Sequence, residues 1–187
     1  MTTGDKERIP PLPPAGFTPR QAELVGDWTH LAFSRVIVRH PDMYALFVPW
    51  IEQLIARSKL PPRDREVLVL RTLELGRDTY ELHHHEMIAR NAGMSEADIR
   101  AATHGDADLP DWDRWLLCAA EELVREQRIA DATWEALAER YDEEQLMEVV
   151  FLVGCYVTMA MLTRSFGMQI EDSQDDLDRI ESLRDYA

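Results

Sequence analysis

Residues 79–86 read TYELHHHE and hold three of the six histidines of the chain, flanked by Glu81 and Glu86. Carboxylates and imidazoles at helical spacing are the groups that move protons near neutral pH. Whether they do so depends on where each side chain points. A helix turns about 100° per residue, so the faces follow from the spacing. Glu81, His85, Ile88 and Ala92 fall on one face, with Ala89 at its edge. His83, Glu86 and Arg90 fall on the opposite face, and His84 lies on the margin. The three histidines are therefore not equivalent. His85 points inward with Glu81, His83 points to solvent, and His84 is a border residue.

The preceding segment, REVLVLRTLELG, places Glu66 in the middle of an apolar stripe with Val69, Leu70 and Leu73. A carboxylate is rarely buried without a partner, because losing its hydration is costly. Two inward acids and one inward histidine on consecutive helices predict a shared polar pocket. Burial is expected to raise the pKa of a glutamate, and a neighbouring carboxylate that of a histidine, so that both move toward neutrality. A structural interpretation stands beside this one. Glu81 and His85 are four residues apart and suited to an intrahelical pair, and Glu66 could meet a buried amide or an arginine such as Arg71. A metal site has weak support. The spacing from Glu81 to His84 is the E-x-x-H of di-iron bundles, which use it in pairs, and it occurs once here. Consecutive histidines point apart and cannot converge on one ion. Neither a metal nor another cofactor is expected.

The elements that must position these groups are helical. Almost every periodic segment has the helical period, and no Asn-Gly or Asp-Gly hairpin separates alternating runs. The predicted helices span 20–38 with a break near Trp28, 41–59 starting on Pro41, and 62–76 closed by Gly76. Next come 79–92, capped by Asp78 or Thr79 and closed by Gly93, and a short helix capped by Ser95 and running to Thr103. Then follow 111–127, 130–141, 143–166 and a polar tail helix near 171–184. The expected architecture is all-α, a single-domain bundle of about eight or nine helices. A Pro-rich arm, 1–18, carries PPLPP and either lies on the domain or reaches a neighbouring subunit. The domain itself covers 19–170, and 171–187 form an acidic tail.

Composition excludes some partners. The chain has 187 residues, enough for one sizeable core, and a formal net charge of −15. That charge repels phosphate backbones and anionic lipid, so neither nucleic acid nor a membrane is an expected partner. Cys118 and Cys155 form no CxxC pair and read as buried thiols in a reducing compartment. The first residues have no apolar signal-peptide core. The longest uncharged run, Val149 to Thr163, is too short for a bilayer and reads as a buried core helix. A cytoplasmic location is expected.

The unit REVLVLRTLELGRDTYELHHHEMIARNAGMSEADIRAA resembles the carboxymuconolactone decarboxylase and alkylhydroperoxidase-D superfamily over at least residues 60–103. The later helices and the PPLPP arm resemble its longer decarboxylase-like members. The peroxidase branch has a catalytic CxxC followed by a histidine, with a glutamate one helix earlier. With Gly93 as the anchor, its cysteines fall on Asp78 and Glu81, its histidine on His85 and its glutamate on Glu66. Both thiols are missing, so peroxidase cycling at these positions is not expected. The decarboxylases resemble the chain at Glu81 and His85 but carry no acid at the position of Glu66. The resemblance implies an all-α fold and a homo-oligomer (a dimer, trimer or hexamer). It also implies a cofactor-independent lyase or isomerase acting on a small carboxylated, lactone or carbonyl metabolite. His85 would be the general base or acid, Glu81 would orient it and shuttle protons, and Glu66 would hold the other imidazole nitrogen or protonate an enolate. Tyr80 and His84 would line the substrate pocket, and Arg71 is the cation considered for an anionic substrate. Two alternatives remain: a non-catalytic helical scaffold or ligand-binding member, and thiol peroxidase chemistry through Cys118 or Cys155.

Overall fold

The computed structural model describes residues 6–105 and 109–171. Among these residues nine α-helices form and no strand does. The helices are α1 (Pro19–Val25), α2 (Ala32–Ile37), α3 (Pro41–Ala56), α4 (Pro62–Gly76), α5 (Thr79–Asn91), α6 (Glu96–His104), α7 (Asp111–Glu126), α8 (Asp131–Ala138) and α9 (Glu143–Phe166). The break expected near Trp28 is a 3-10 turn over Gly26–His30, where Trp28 leaves the helical region.

Local chemistry sets the boundaries. Pro19, Pro41 and Pro62 stand in first turns, where a missing N–H costs nothing. Thr18, Ser95 and Asp142 each close a capping box with the residue three positions on. One stop signal differs from expectation. The left-handed residue after α4 is Arg77, at φ 54°, while Gly76 is still helical. Gly76 answers a different need: a Cβ there would sit 3.0 Å from that of Ala160, so its hydrogen lets α4 and α9 approach closely.

Helix α4 runs through the centre and packs on α5, α6, α7 and α9. This explains why Val67, Leu68, Val69 and Leu70, which point in all directions, are all buried. Arg63 on α4 grips Asp113 on α7 through two parallel bonds of 2.7 and 2.8 Å. The arm folds back over its own chain. Arg8 N–H and Ile9 N–H donate to the Phe166 carbonyl, and Leu12 N–H donates to that of Arg35.

Two expectations are corrected. Helix α9 is not wholly buried: its inner face is packed, but Met147, Val150, Phe151 and Met161 are exposed on the outer one. Among the described residues it alone has the length and apolarity of a membrane span, and 56% of that stretch is covered by the rest of the fold. Cys118 is exposed on α7, because its position faces away from α4, whereas Cys155 is buried on α9. The expected tail helix near 171–184 lies outside the described residues from 172 onward. Glu171 is described, and it is buried rather than part of a solvated tail.

Candidate active site

The turn between α4 and α5 fixes the register of the chemistry. Asp78 is the N-cap of α5 and accepts from the backbone N–H groups of Tyr80 (3.1 Å) and Glu81 (3.2 Å). Its second oxygen accepts from the Thr163 hydroxyl at 2.8 Å, which ties the start of α5 to α9. Asp78 stands where a peroxidase thiol would be expected and here serves as a buried cap. Burial pushes its carboxyl up, against the pull of these bonds.

With α5 so placed, Tyr80, Glu81, His84 and His85 are all buried, and all line one cavity. His84, the border residue, has gone inward. The cavity measures about 130 Å³. Phe33 and Ser34 from α2, Val48 and Ile51 from α3, and Met159 from α9 complete much of its wall, which is overwhelmingly apolar.

Glu66 lies behind the wall, fully buried on α4. One oxygen receives His85 Nδ1 at 2.7 Å and the other receives Arg65 Nε at 3.0 Å. Burial alone would raise this carboxyl, but the neighbouring His85 and Arg65 outweigh it and hold the group below its usual range. The expected upward shift is thus reversed at Glu66. Its arginine partner is Arg65 rather than Arg71, which binds Glu121 and the Thr103 carbonyl away from the cavity. An ionised Glu66 can only accept, so His85 Nδ1 donates to it, and Nε2 is the nitrogen left to exchange a proton with the cavity. Nε2 has no partner among the described residues. The Tyr156 ring packs edge-on against the imidazole at 4.8 Å and limits its rotation.

Glu81 behaves oppositely. Its carboxyl forms no hydrogen bond with any described residue, so the intrahelical pair with His85 is not made. Burial first, and then the negative charges of Asp78 and Glu171, push its pKa well up. It faces the cavity and holds its proton to a higher pH than a solvated glutamate. The two glutamates that look alike in sequence are therefore shifted in opposite directions, which is the separation that acid–base chemistry uses.

Glu171 is the site residue that the sequence analysis misses. It reaches in from beyond α9 and accepts from the Ala32 N–H at 2.7 Å, the Tyr80 hydroxyl at 2.6 Å and His84 Nε2 at 3.0 Å. Burial opposes its charge, but these partners pull its pKa down to about 2. Tyr80 in turn accepts from Phe33 N–H at 3.0 Å. The site thus has two histidine–carboxylate pairs, His85–Glu66 and His84–Glu171, with Glu81 on the same helix face. No cluster of three or more histidine, cysteine or acidic side chains suited to a metal ion occurs among the described residues.

The thiols fit the site poorly. Burial pushes Cys155 up to about 12. Burial and the nearby Glu122 and Glu121 also raise Cys118. Both are held as thiols rather than as the nucleophilic thiolate.

Comparison with known proteins agrees with this architecture. Residues 41–126 match the carboxymuconolactone decarboxylase family, a span that includes Glu66, Tyr80, Glu81, His84 and His85 but not Glu171. No curated protein gives a significant match in sequence. Among solved structures, the fold is similar to an uncharacterised peroxidase-related protein of Ralstonia eutropha JMP134, described as an alkylhydroperoxidase AhpD core. The TM-score is 0.76 at 18% identity, covering 88% of this chain and 92% of that one. An uncharacterised peroxidase-related protein of Silicibacter sp. TM1040 superimposes with a TM-score of 0.71 at 15% identity, over 92% and 96% of the two chains. A protein of unknown function from Agrobacterium tumefaciens, whose name suggests an antioxidant-defence AhpD, gives 0.66 at 16% identity over 73% and 96%. Helix order, the α4–α5 unit and the family match agree on one likeness: residues 41–126 match the carboxymuconolactone decarboxylase family, and the fold is that of the alkylhydroperoxidase AhpD core.

Proposed function

We propose that the protein is a cofactor-independent acid–base enzyme, a decarboxylase-like lyase or an isomerase, acting on a small carbonyl- or lactone-containing metabolite. One observation carries this reading. His85 is clamped through Nδ1 by Glu66 at 2.7 Å, while the cavity that it lines also holds the unpaired carboxyl of Glu81. A histidine oriented by a carboxylate beside an unpaired carboxyl that holds its proton to raised pH is a base and an acid in one apolar pocket. His85 Nε2 would take a proton from the carbon next to a carbonyl. Glu81 would protonate the oxygen, or return a proton to carbon after loss of CO2. Tyr80 and His84, held by Glu171, would shape the opposite wall.

The test is turnover on metal-free protein. Carboxymuconolactone decarboxylation and deuterium uptake by small ketones and lactones in D2O would be followed by NMR, for the wild type, Glu81→Gln and His85→Ala. Loss by about 100-fold or more in both variants supports the reading. The second reading, a scaffold or ligand-binding member, draws on the way Glu66 and Glu171 each bond residues of other segments. It gains if His85→Ala lowers the melting temperature and no turnover is found in the folded wild type. Thiol peroxidase chemistry is discarded if no peroxide is consumed, or if consumption survives replacing both cysteines by serine.

A further inference from the structure

The charges around the cavity restrict what can enter it. Its lining residues include no lysine or arginine. The ionisable groups that line it are Glu52 from α3 and Tyr80, Glu81, His84 and His85 from α5, and the Tyr80 hydroxyl already donates to Glu171. Both histidines already face a carboxylate, so neither offers an uncompensated positive charge. Arg65, the arginine bonded to Glu66, donates to that carboxylate and to the Ile55 carbonyl behind the wall. A carboxylate entering this space would lose its hydration and meet further negative charge, with nothing to offset either. Size restricts it further. A cavity of roughly 150 Å³ with apolar walls holds a benzene ring, and this one is about 130 Å³.

We propose that the cavity takes an uncharged carbonyl compound with a compact apolar body, of about six to ten heavy atoms, and excludes carboxylates. The inference rests on the acid–base reading, narrows it to its isomerase branch, and names the substrate class, a cyclic ketone, enone or neutral lactone. Phe33, Val48, Ile51 and Met159 enclose the hydrocarbon part. The unpaired carboxyl of Glu81 donates to the carbonyl oxygen. His85 Nε2 removes a proton from the adjacent carbon as the C–H pair becomes a C=C bond and the carbonyl π pair moves to oxygen, which takes the Glu81 proton. The products of this step are a neutral enol, an imidazolium paired with Glu66 and a Glu81 carboxylate. Return of the imidazolium proton to a different carbon of a conjugated enol, as the enol hydroxyl gives its proton back to the Glu81 carboxylate, completes an isomerisation without an external reactant.

The experiment compares three ligands of one shape, cyclohexanone, cyclohexanecarboxylate and cyclohexylamine, with full-length protein carrying 13C-methyl methionine. The Met159 methyl reports occupancy, and Ile51→Trp, which fills the cavity, is the control for location. Cyclohexanone is expected to shift the Met159 signal and to bind at least tenfold tighter than the carboxylate, and Ile51→Trp is expected to abolish the shift. Equal or tighter binding of the carboxylate or the amine overturns the proposal, as does failure of cyclohexanone to bind the folded protein. Deuterium uptake at the carbons beside the cyclohexanone carbonyl separates the two claims. Binding without uptake leaves the ligand class standing and removes the acid–base reading. Decarboxylation of a bound carboxylate substrate does the reverse.

Discussion

Glu66 and His85 lie on different helices, yet the carboxylate oxygen and Nδ1 are 2.7 Å apart, whereas Glu81, on the same helix as His85, forms no hydrogen bond with it. The bond orients the catalytic candidate and also holds α4 to α5. Glu66→Gln removes the negative charge that Arg65 and His85 share in the interior, and breaking a buried pair in this way costs about 3–5 kcal/mol. Urea denaturation checks the loss. Retention of wild-type stability would mean that the charge of Glu66 is not what holds α4 to α5.

Glu81 makes stability depend on pH in an unusual direction. In the unfolded chain this carboxyl ionises near its model value of 4.5, whereas the folded protein holds the proton to a higher pH. Its contribution therefore disfavours folding as pH rises above that value, until the folded group ionises too. Each tenfold difference in proton affinity is worth about 1.4 kcal/mol. Glu81→Gln is expected to raise the melting temperature at pH 8 and to change it little at pH 4. An equal effect at both pH values would contradict a buried neutral acid.

Glu171 acts on the acid side. Its folded pKa, about 2, lies below the unfolded value of 4.5, so its stabilisation is complete above that value and is lost as pH falls toward 2. The loss is on the order of 3 kcal/mol. Glu171→Ala should remove this part of the acid-unfolding slope and leave the Ala32 amide and Tyr80 hydroxyl without their acceptor. An unchanged slope between pH 5 and 2 would show that the carboxyl is solvated in the folded state.

Thiol labelling separates the two cysteines. A water-soluble disulfide reagent should modify Cys118 in native protein and Cys155 only after unfolding. Labelling of both at similar rates would argue that α9 opens readily.

The outer face of α9 bears on the expected homo-oligomer. Met161 is 63% exposed and Met147 56%, with Phe151 between them. Contiguous apolar patches of this kind often mark protein contacts, and a second copy is our proposed occupant. Phe151→Glu should lower the mass measured by sedimentation. A monomeric wild type would remove the proposal.

Much of the fold was legible because the sequence marks helix ends chemically. Proline at the first turn, Ser95 and Asp142 as caps, and Gly93 past α5 set the boundaries close to those observed. The inward turn of Glu66, Glu81 and His85 followed from helical spacing. What stayed hidden was pairing. Spacing suggested Glu81 as the partner of His85, a pair that is not made, whereas the hold of Glu66 on the imidazole was expected from the catalytic roles and not from spacing. Arg65 sits in the charged run PPRDRE, which reads as a solvated helix start, yet it is buried on the glutamate beside it. Glu171 had no signal at all. It opens an acidic stretch, and its burial depends on donors 87, 91 and 139 residues earlier in the chain.

That separation has a consequence for biosynthesis. Ala32, Glu66, Tyr80, Glu81, His84 and His85 are all synthesised well before residue 171, the acceptor for three of the site's donors. Chains grow from the N-terminus at about 5–20 residues per second. For several seconds the nascent protein therefore carries its histidines without the carboxylate that fixes one of them. The pocket becomes whole only when Glu171 has come to rest against the Ala32 amide, Tyr80 and His84.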